Sequence, residues 1–269
     1  MEDLTVGFIG GGAMAEALTA GITGQQVVKP DNIYISDHKQ SRCEALRNQY
    51  GVNAMVGAES FAAEMDVLVL AIKPQVAQAA MDEVKGFVRP GTIVVSIVAG
   101  LTLSALEQNF PGQPVVRVMP NTPLAVGAGM SAYACGKRTT KGDASVVQEL
   151  LSAAGEAVQV QEAAMDAVTG LSGSGPAYGF LMIDALSDGG VAAGLKRDVA
   201  TKLAAQTLLG AAKMVLATGK HPDVLRDQVT SPAGTTIAGV RVLEQQGLRG
   251  ALIDAVLAAT EKSRELGKK

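Results

Sequence analysis

The sequence has no tryptophan, and its aromatic fraction is only 3%. So few flat side chains supply no stacking platform for bases. Lys and Arg are scattered along the chain with no basic stripe, so nucleic acid is not an expected partner. Two histidines (His38, His221) and two cysteines (Cys43, Cys135) lie too far apart to form a recognisable metal motif. No metal is expected, and the two thiols suit a reducing compartment. No uninterrupted apolar run reaches membrane length. The first strand pattern starts so early that a secretory signal has no room. Together these absences predict a cytoplasmic protein outside any membrane.

Small residues are plentiful. The 269 residues include 31 glycines, with 48% hydrophobic and 18% charged residues and a net charge of -3. That is enough apolar surface for one large domain or two ordinary ones. The core must be built from Ala, Val, Leu, Ile and Gly, which favour close helix–helix approach.

The most informative stretch is Val6-Gly7-Phe8-Ile9-Gly10-Gly11-Gly12-Ala13-Met14-Ala15. An apolar strand ends in three glycines and passes straight into a helical pattern. The spacing Gly10-x-Gly12-x-x-Ala15 fits the dinucleotide fingerprint in its Gly/Ala form. Gly10 permits the tight turn, Gly12 opens the backbone to a pyrophosphate, and Ala15 brings helix and strand together. The N–H groups and positive dipole end of the helix hold the phosphates. A second strand over 32–37 ends at Ser36 and Asp37. Asp37 lies near where an acid would grip a ribose 2′-OH, while His38, Lys39, Ser41 and Arg42 are groups that could accept a 2′-phosphate. NAD and NADP both stay open on these residues.

Strands are predicted at 66–72, 92–98, 114–119, 129–134 and 157–160. Helices are predicted at 75–85, 101–109 with Thr102 as cap, and 143–153. This alternation predicts a mostly parallel sheet covered on both faces, with ligand loops along one edge. The loops Ala71-Ile72-Lys73-Pro74, Ser96-Ile97-Val98-Ala99-Gly100 and Asn121-Thr122-Pro123 fall on that edge.

From about Ala163 strand signals stop, and helices are expected at 163–171, 177–193, 196–218, 222–228, a segment ending at 246, and 248–266. Lys262, Arg264, Lys268 and Lys269 suit the dipole at the last C-terminus. Helices 177–193 and 196–218 are apolar nearly all round, which predicts a partner subunit and a homodimer. The turn Ser231 to Thr236 places hydroxyls and free N–H groups at a helix start, a site suited to a carboxylate. The expected architecture is α/β: a Rossmann-like dinucleotide-binding domain over 1–161, then an all-α substrate-binding and dimerisation domain over 162–269.

Six motifs carry a family resemblance: Gly10 to Ala15, Ala71 to Pro74, Ser96 to Gly100, Arg117-Val118-Met119-Pro120-Asn121-Thr122-Pro123, Asp166 to Tyr178, and Asp227-Gln228-Val229-Thr230-Ser231-Pro232-Ala233-Gly234-Thr235-Thr236. With them the chain resembles the pyrroline-5-carboxylate reductases nearly end to end. The resemblance implies reduction of 1-pyrroline-5-carboxylate to L-proline by NADPH or NADH, with NADPH favoured. It also implies a dimer or higher oligomer whose active site joins the nucleotide domain of one subunit to helices of the other. By motif match, Gly10, Gly11, Gly12, Ala13 and Met14 hold the pyrophosphate, and Ser36 and Asp37 lie near the adenine ribose. Ala71, Lys73, Pro74, Ala99 and Asn121 lie along the nicotinamide half. Ser231, Gly234, Thr235 and Thr236 hold the small-molecule substrate, with Thr236 on the ring nitrogen as the catalytic contact. The family usually shows Gly where this chain has Ala233, and some relatives carry a hydroxyl residue where it has Asp37.

A cyclic imine can enter protonated, so hydride addition yields a neutral amine and needs no strong general acid. The scarcity of histidine is therefore compatible with the chemistry. A β-hydroxyacid dehydrogenase would place a lysine four residues after Gly175, where this chain has Gly179. Another imine-acid reductase, including one for the six-membered homologue, and a dinucleotide-sensing module remain open on the sequence.

Overall fold

The computed structural model describes Met1 and residues 3–267; Lys268 and Lys269, assigned above to a helix end, lie outside the described residues. The chain divides into two compact units. One is Met1–Gly173 with the segment that begins at Ala259, and the other is Ser174–Ala258.

The first unit is built on β1 (Val6–Ile9), β2 (Ile33–Ser36), β3 (Asn53–Met55), β4 (Val67–Leu70), β5 (Ile93–Ser96), β6 (Val115–Met119), β7 (Gly129–Cys135) and β8 (Gly155–Gln159). They form one sheet in the order β3-β2-β1-β4-β5-β6-β7-β8. Every neighbouring pair is parallel except β6 and β7. The order reverses between β1 and β4, which makes the ends of those strands the switch point where ligands bind in open sheets. Helices α1 (Ala13–Gly24), α2 (Gln40–Tyr50), α3 (Ala77–Val84), α4 (Leu103–Asn109), α5 (Lys141–Ser152) and α6 (Met165–Val168) belong to this unit.

Side-chain alternation explains the two-sided core. In β4, Val67 and Val69 join one apolar cluster with Leu18, Ile22, Leu46, Val147 and Leu151, from α1, α2 and α5. Leu68 and Leu70 point the other way, to Met81, Val84 and Leu106 from α3 and α4. Strand residues two apart share a face, so a run with no polar member requires cover on both sides. Local capping follows the sequence too. Thr102 Oγ1 accepts from Ala105 N at 3.2 Å, and Thr140 with Asp143 forms a capping box at α5.

Several elements differ from expectation. The pair α2 and β3 was not anticipated, because α2 buries only Cys43 and Leu46 and β3 is three residues long. The predicted helix at 75–85 begins as a 3-10 turn at Pro74–Val76. The segment expected as a plain helix at 163–171 passes from a 3-10 turn (Glu162–Ala164) through α6 into a π-helical turn at Thr169–Gly173.

The second unit contains α7 (Gly175–Ala192), α8 (Arg197–Thr218), α9 (Pro222–Gln228), α10 (Thr235–Gln245) and the start of α11 (Leu248–Gly267). α7 and α8 meet through small and polar residues. Ser187 Oγ lies 2.8 Å from Thr201 Oγ1, and a Cβ on Gly190 would stand 3.0 Å from Ala200 Cβ. Within the single chain α7 buries only Ser187, while α8 buries only Ala200 and Ala204. Phe180, Leu181, Leu203 and Leu216 stay exposed. No helix among the described residues is long and apolar enough to cross a membrane.

Candidate cofactor edge and anion-binding turn

The glycine loop follows β1 at the switch point. Gly10 has a φ of 100°, and a Cβ there would stand 2.5 Å from the Ala71 carbonyl oxygen. Its N–H donates to Ser36 O at 2.8 Å, while Ala71 N–H donates to Ile9 O at 2.8 Å. The loop is thus laced to the ends of β2 and β4. Gly12 is the N-cap of α1 and provides no side-chain cap; a Cβ there would meet nothing within 4 Å. The absence of a side chain therefore serves no internal packing. It leaves open space before the first N–H groups of a twelve-residue helix, which suits a pyrophosphate. Ala13 and Met14 supply N1 and N2 of that helix.

At the end of β2, Ser36 is buried and its hydroxyl donates to Phe8 O at 3.4 Å, so its side chain bridges strands. Asp37 Oδ2 accepts from Gly11 N at 3.1 Å, and Oδ1 accepts from Lys39 N at 3.0 Å. On the other side of the Gly11 peptide, Arg42 Nε donates to Gly11 O at 2.6 Å and Nη2 pairs with Glu16 at 2.5 Å. Tyr50 completes the set, its hydroxyl donating to Glu16 Oε1 at 3.1 Å. Burial, followed by that hydrogen bond, pushes the Tyr50 hydroxyl above its usual value and keeps it the donor.

Sequence reasoning missed the Glu16–Tyr50 pair and the part Arg42 plays in holding the loop. The available signal was Glu16 itself, an acid in the first turn of a helix whose N-terminus the sequence predicts to hold phosphates. Such a charge must be neutralised from nearby, and Arg42 does so.

Lys73 and Pro74 are exposed at the start of the 3-10 turn after β4. Ala99 is exposed beside Gly100, which has a φ of 79°. Asn121, expected along the nicotinamide half, has its side chain engaged within the fold. Its Nδ2 donates to Ser172 O at 3.1 Å, and its Oδ1 accepts from Met130 N at 2.9 Å. Its side chain ties the π-helical turn to the start of β7.

In the second unit, Gly234 is the N-cap of α10 and brings no side-chain cap. Thr235 and Thr236 occupy N1 and N2, with Thr236 half-buried and Thr235 exposed. Gly234 N–H closes the turn on Ser231 O at 3.1 Å. Ala233 sits in the turn with a φ of 57°, in the left-handed region. Ser231, Gly234, Thr235 and Thr236 are therefore gathered around one helix N-terminus of eleven residues.

Comparison with known proteins covers both units. Residues 162–266 match the family described as pyrroline-5-carboxylate reductase dimerisation. Residues 5–100 match the family described as NADP oxidoreductase, coenzyme F420-dependent. The chain is 46% identical to the pyrroline-5-carboxylate reductase of Arabidopsis thaliana over 99% of this chain and 97% of that one. A pyrroline-5-carboxylate reductase structure from Coxiella burnetii superposes with a TM-score of 0.93 at 32% identity, covering 98% of each chain. That of Plasmodium falciparum pyrroline carboxylate reductase, with NADP bound, gives 0.87 at 32% identity over 99% of each. The chain belongs to the pyrroline-5-carboxylate reductase family.

Proposed function

We propose that the protein transfers a hydride from NAD(P)H to the C=N bond of 1-pyrroline-5-carboxylate, giving L-proline in the last step of proline biosynthesis. The observation that carries this reading is the second helix N-terminus capped by a glycine, at Gly234, with Thr235 and Thr236 directly behind it. A dinucleotide is served by the first, at Gly12. A further anion site flanked by two threonines suits a small carboxylic acid.

The nicotinamide of a bound cofactor would supply the hydride. Gly12, Ala13 and Met14 would receive the pyrophosphate on backbone N–H groups, while Gly10 and Gly11 shape the loop, their own N–H groups bonded to Ser36 O and Asp37 Oδ2, and Arg42 offsets the Glu16 charge. Ser36 and Asp37 border the adenine ribose. Ala71, Lys73, Pro74, Ala99 and Asn121 shape the nicotinamide half, Asn121 through the two backbone groups it ties together. Ser231, Gly234 and Thr235 hold the substrate carboxylate against the α10 dipole. Thr236 hydroxyl accepts from the protonated ring nitrogen before hydride arrival and donates to the amine lone pair afterwards. The proton on nitrogen never leaves during the chemical step, so positioning and exclusion of water carry the catalysis.

We assign residues 1–161 to the cofactor and 162–269 to substrate and assembly, supported by the two family matches at 5–100 and 162–266. The uncovered apolar residues of α7 and α8 support a homodimer, or an oligomer built from dimers. Two free cysteines fit a cytoplasmic, reducing setting.

The test is the loss of reduced-nicotinamide absorbance on adding pyrroline-5-carboxylate, with the six-membered imine acid and a β-hydroxyacid plus NAD(P)+ as controls. Oxidation of cofactor with the five-membered imine is expected. Turnover only with the hydroxyacid would replace this reading by alcohol oxidation, against which the absence of lysine at Gly179 already argues.

A further inference from the structure

Three side chains set the charge at the ribose end of the cofactor edge: Asp37, Arg42 and Glu16. Asp37 is the first residue after β2, and its side chain is 12% exposed. Each carboxylate oxygen accepts one backbone N–H, from Gly11 at 3.1 Å and from Lys39 at 3.0 Å. The group is pinned between the glycine loop and the start of α2 and cannot swing aside without orphaning the buried Gly11 donor. A carboxylate offers about four lone-pair positions. Acceptor capacity therefore remains for ribose hydroxyls, while a fixed negative charge stands where a phosphate monoester would have to sit.

Arg42 is the cation that would have to offset that repulsion. It is already committed to Gly11 O at 2.6 Å and Glu16 at 2.5 Å. Moving it to a phosphate would free the Gly11 carbonyl and leave the Glu16 charge unpaired in the first turn of α1. His38 Nδ1 lies 3.3 Å from Asp37 Oδ1, but that ring is 81% exposed, and Lys39 is also exposed. Exposed cations of this kind are screened by solvent and salt and attract weakly.

We propose that this chain selects NADH over NADPH, with Asp37 as the discriminating residue and Arg42 as a positioning residue for the glycine loop. The proposal rests on the cofactor site assigned above and goes against the NADPH preference implied by the family resemblance. Two like charges held a few ångströms apart at a partly buried site shift a binding ratio by about tenfold or more.

The experiment is calorimetric titration of the whole protein with NADH and with NADPH, in the absence of substrate, for the wild type, Asp37→Ser and Arg42→Ala. The wild type is expected to bind NADH about tenfold or more tighter than NADPH. Asp37→Ser should move the ratio of the two Kd values toward NADPH by a similar factor. A merely structural Asp37 would weaken both cofactors equally and leave the ratio where it was. Arg42→Ala should weaken both by one common factor, since it loosens the loop they share. Should Asp37→Ser fail to fold, Asp37→Asn removes the charge at constant size and must move the ratio the same way. NADPH binding as tight as NADH in the wild type, an unchanged ratio on removing the Asp37 charge, or loss of NADPH alone in Arg42→Ala would each overturn the proposal. No heat with either cofactor, from folded wild type, would reject it together with the cofactor site on which it stands.

Discussion

Gly10 stands against the Ala71 carbonyl so closely that a Cβ would lie 2.5 Å from its oxygen, while Gly12, two residues on, faces open space. The two glycines of one motif thus answer to different constraints. Gly10 is required by the fold, through its φ of 100° and its contact with the end of β4. No internal contact requires Gly12; on the proposed function, what approaches from outside does.

Substitutions should separate these constraints. Gly10→Ala should cost about 2 kcal/mol or more in denaturant unfolding, from left-handed strain plus the clash. Gly12→Ser should leave stability within a few tenths of a kcal/mol, since serine is itself a good N-cap. The same serine would fill the seat and cap the N–H groups, so affinity for NADH and NADPH alike should fall by about tenfold or more. A Gly12→Ser protein that binds cofactor normally would show that the phosphates sit elsewhere.

Asn121 ties Ser172 to Met130. Asn121→Ala leaves a half-buried N–H and C=O without partners and should cost about 1–2 kcal/mol. The signature is a lower denaturant midpoint at an unchanged m-value.

Ala233 holds a φ of 57° where the resembling family usually has glycine. Left-handed backbone costs an alanine about 1 kcal/mol, while glycine loses about 0.4–1 kcal/mol through a freer unfolded chain. The first effect should narrowly win, so Ala233→Gly should stabilise by at most about 0.6 kcal/mol. A β-branched replacement, Ala233→Val, should destabilise clearly more than any gain from glycine. Equal unfolding midpoints for glycine, alanine and valine would contradict the left-handed turn.

Thr236→Ala should lower kcat/KM for the imine acid about 5- to 150-fold, matching about 1–3 kcal/mol for a hydrogen bond made to the reacting nitrogen. Affinity for the cofactor, measured without substrate, should not change. An unchanged kcat/KM removes Thr236 from the chemistry.

Asp223 joins α9 to the neighbouring helices. Arg249 bonds both Asp223, at 3.2 Å, and Glu244, at 2.6 Å. The hydrogen bond from Arg249, and then the nearby Arg226 charge, hold the Asp223 carboxyl below its ordinary value of 3.8. A depressed folded value stabilises above the unfolded value and is lost as pH falls through the folded one. Any stability gap between wild type and Arg249→Met should therefore be full at neutral pH, close in acid below about pH 4, and shrink with salt. A gap that persists in acid and high salt would assign it to packing of the Arg249 stem instead.

Local determinants were legible in the chain itself. The Gly10–Ala15 fingerprint, the buried runs of β4 and β5, the Thr102 cap and the helix-opening turn at Ser231–Thr236 all depend on neighbours within a few residues. Their geometry follows from backbone sterics, hydrogen-bond capping and side-chain periodicity. α2 escaped because a helix that buries only Cys43 and Leu46 shows almost no apolar stripe, and β3 because three residues carry no period. The tertiary structure alone decided what depends on distant partners. Periodicity is blind to strand direction, so the antiparallel pairing of β7 with β6 followed from chain connectivity. Chain order placed Asp37 and Arg42 near one another. Only the folded loop decided that both would grip the Gly11 backbone, because a polar side chain goes to the donor or acceptor that folding brings within hydrogen-bond distance and deprives of water.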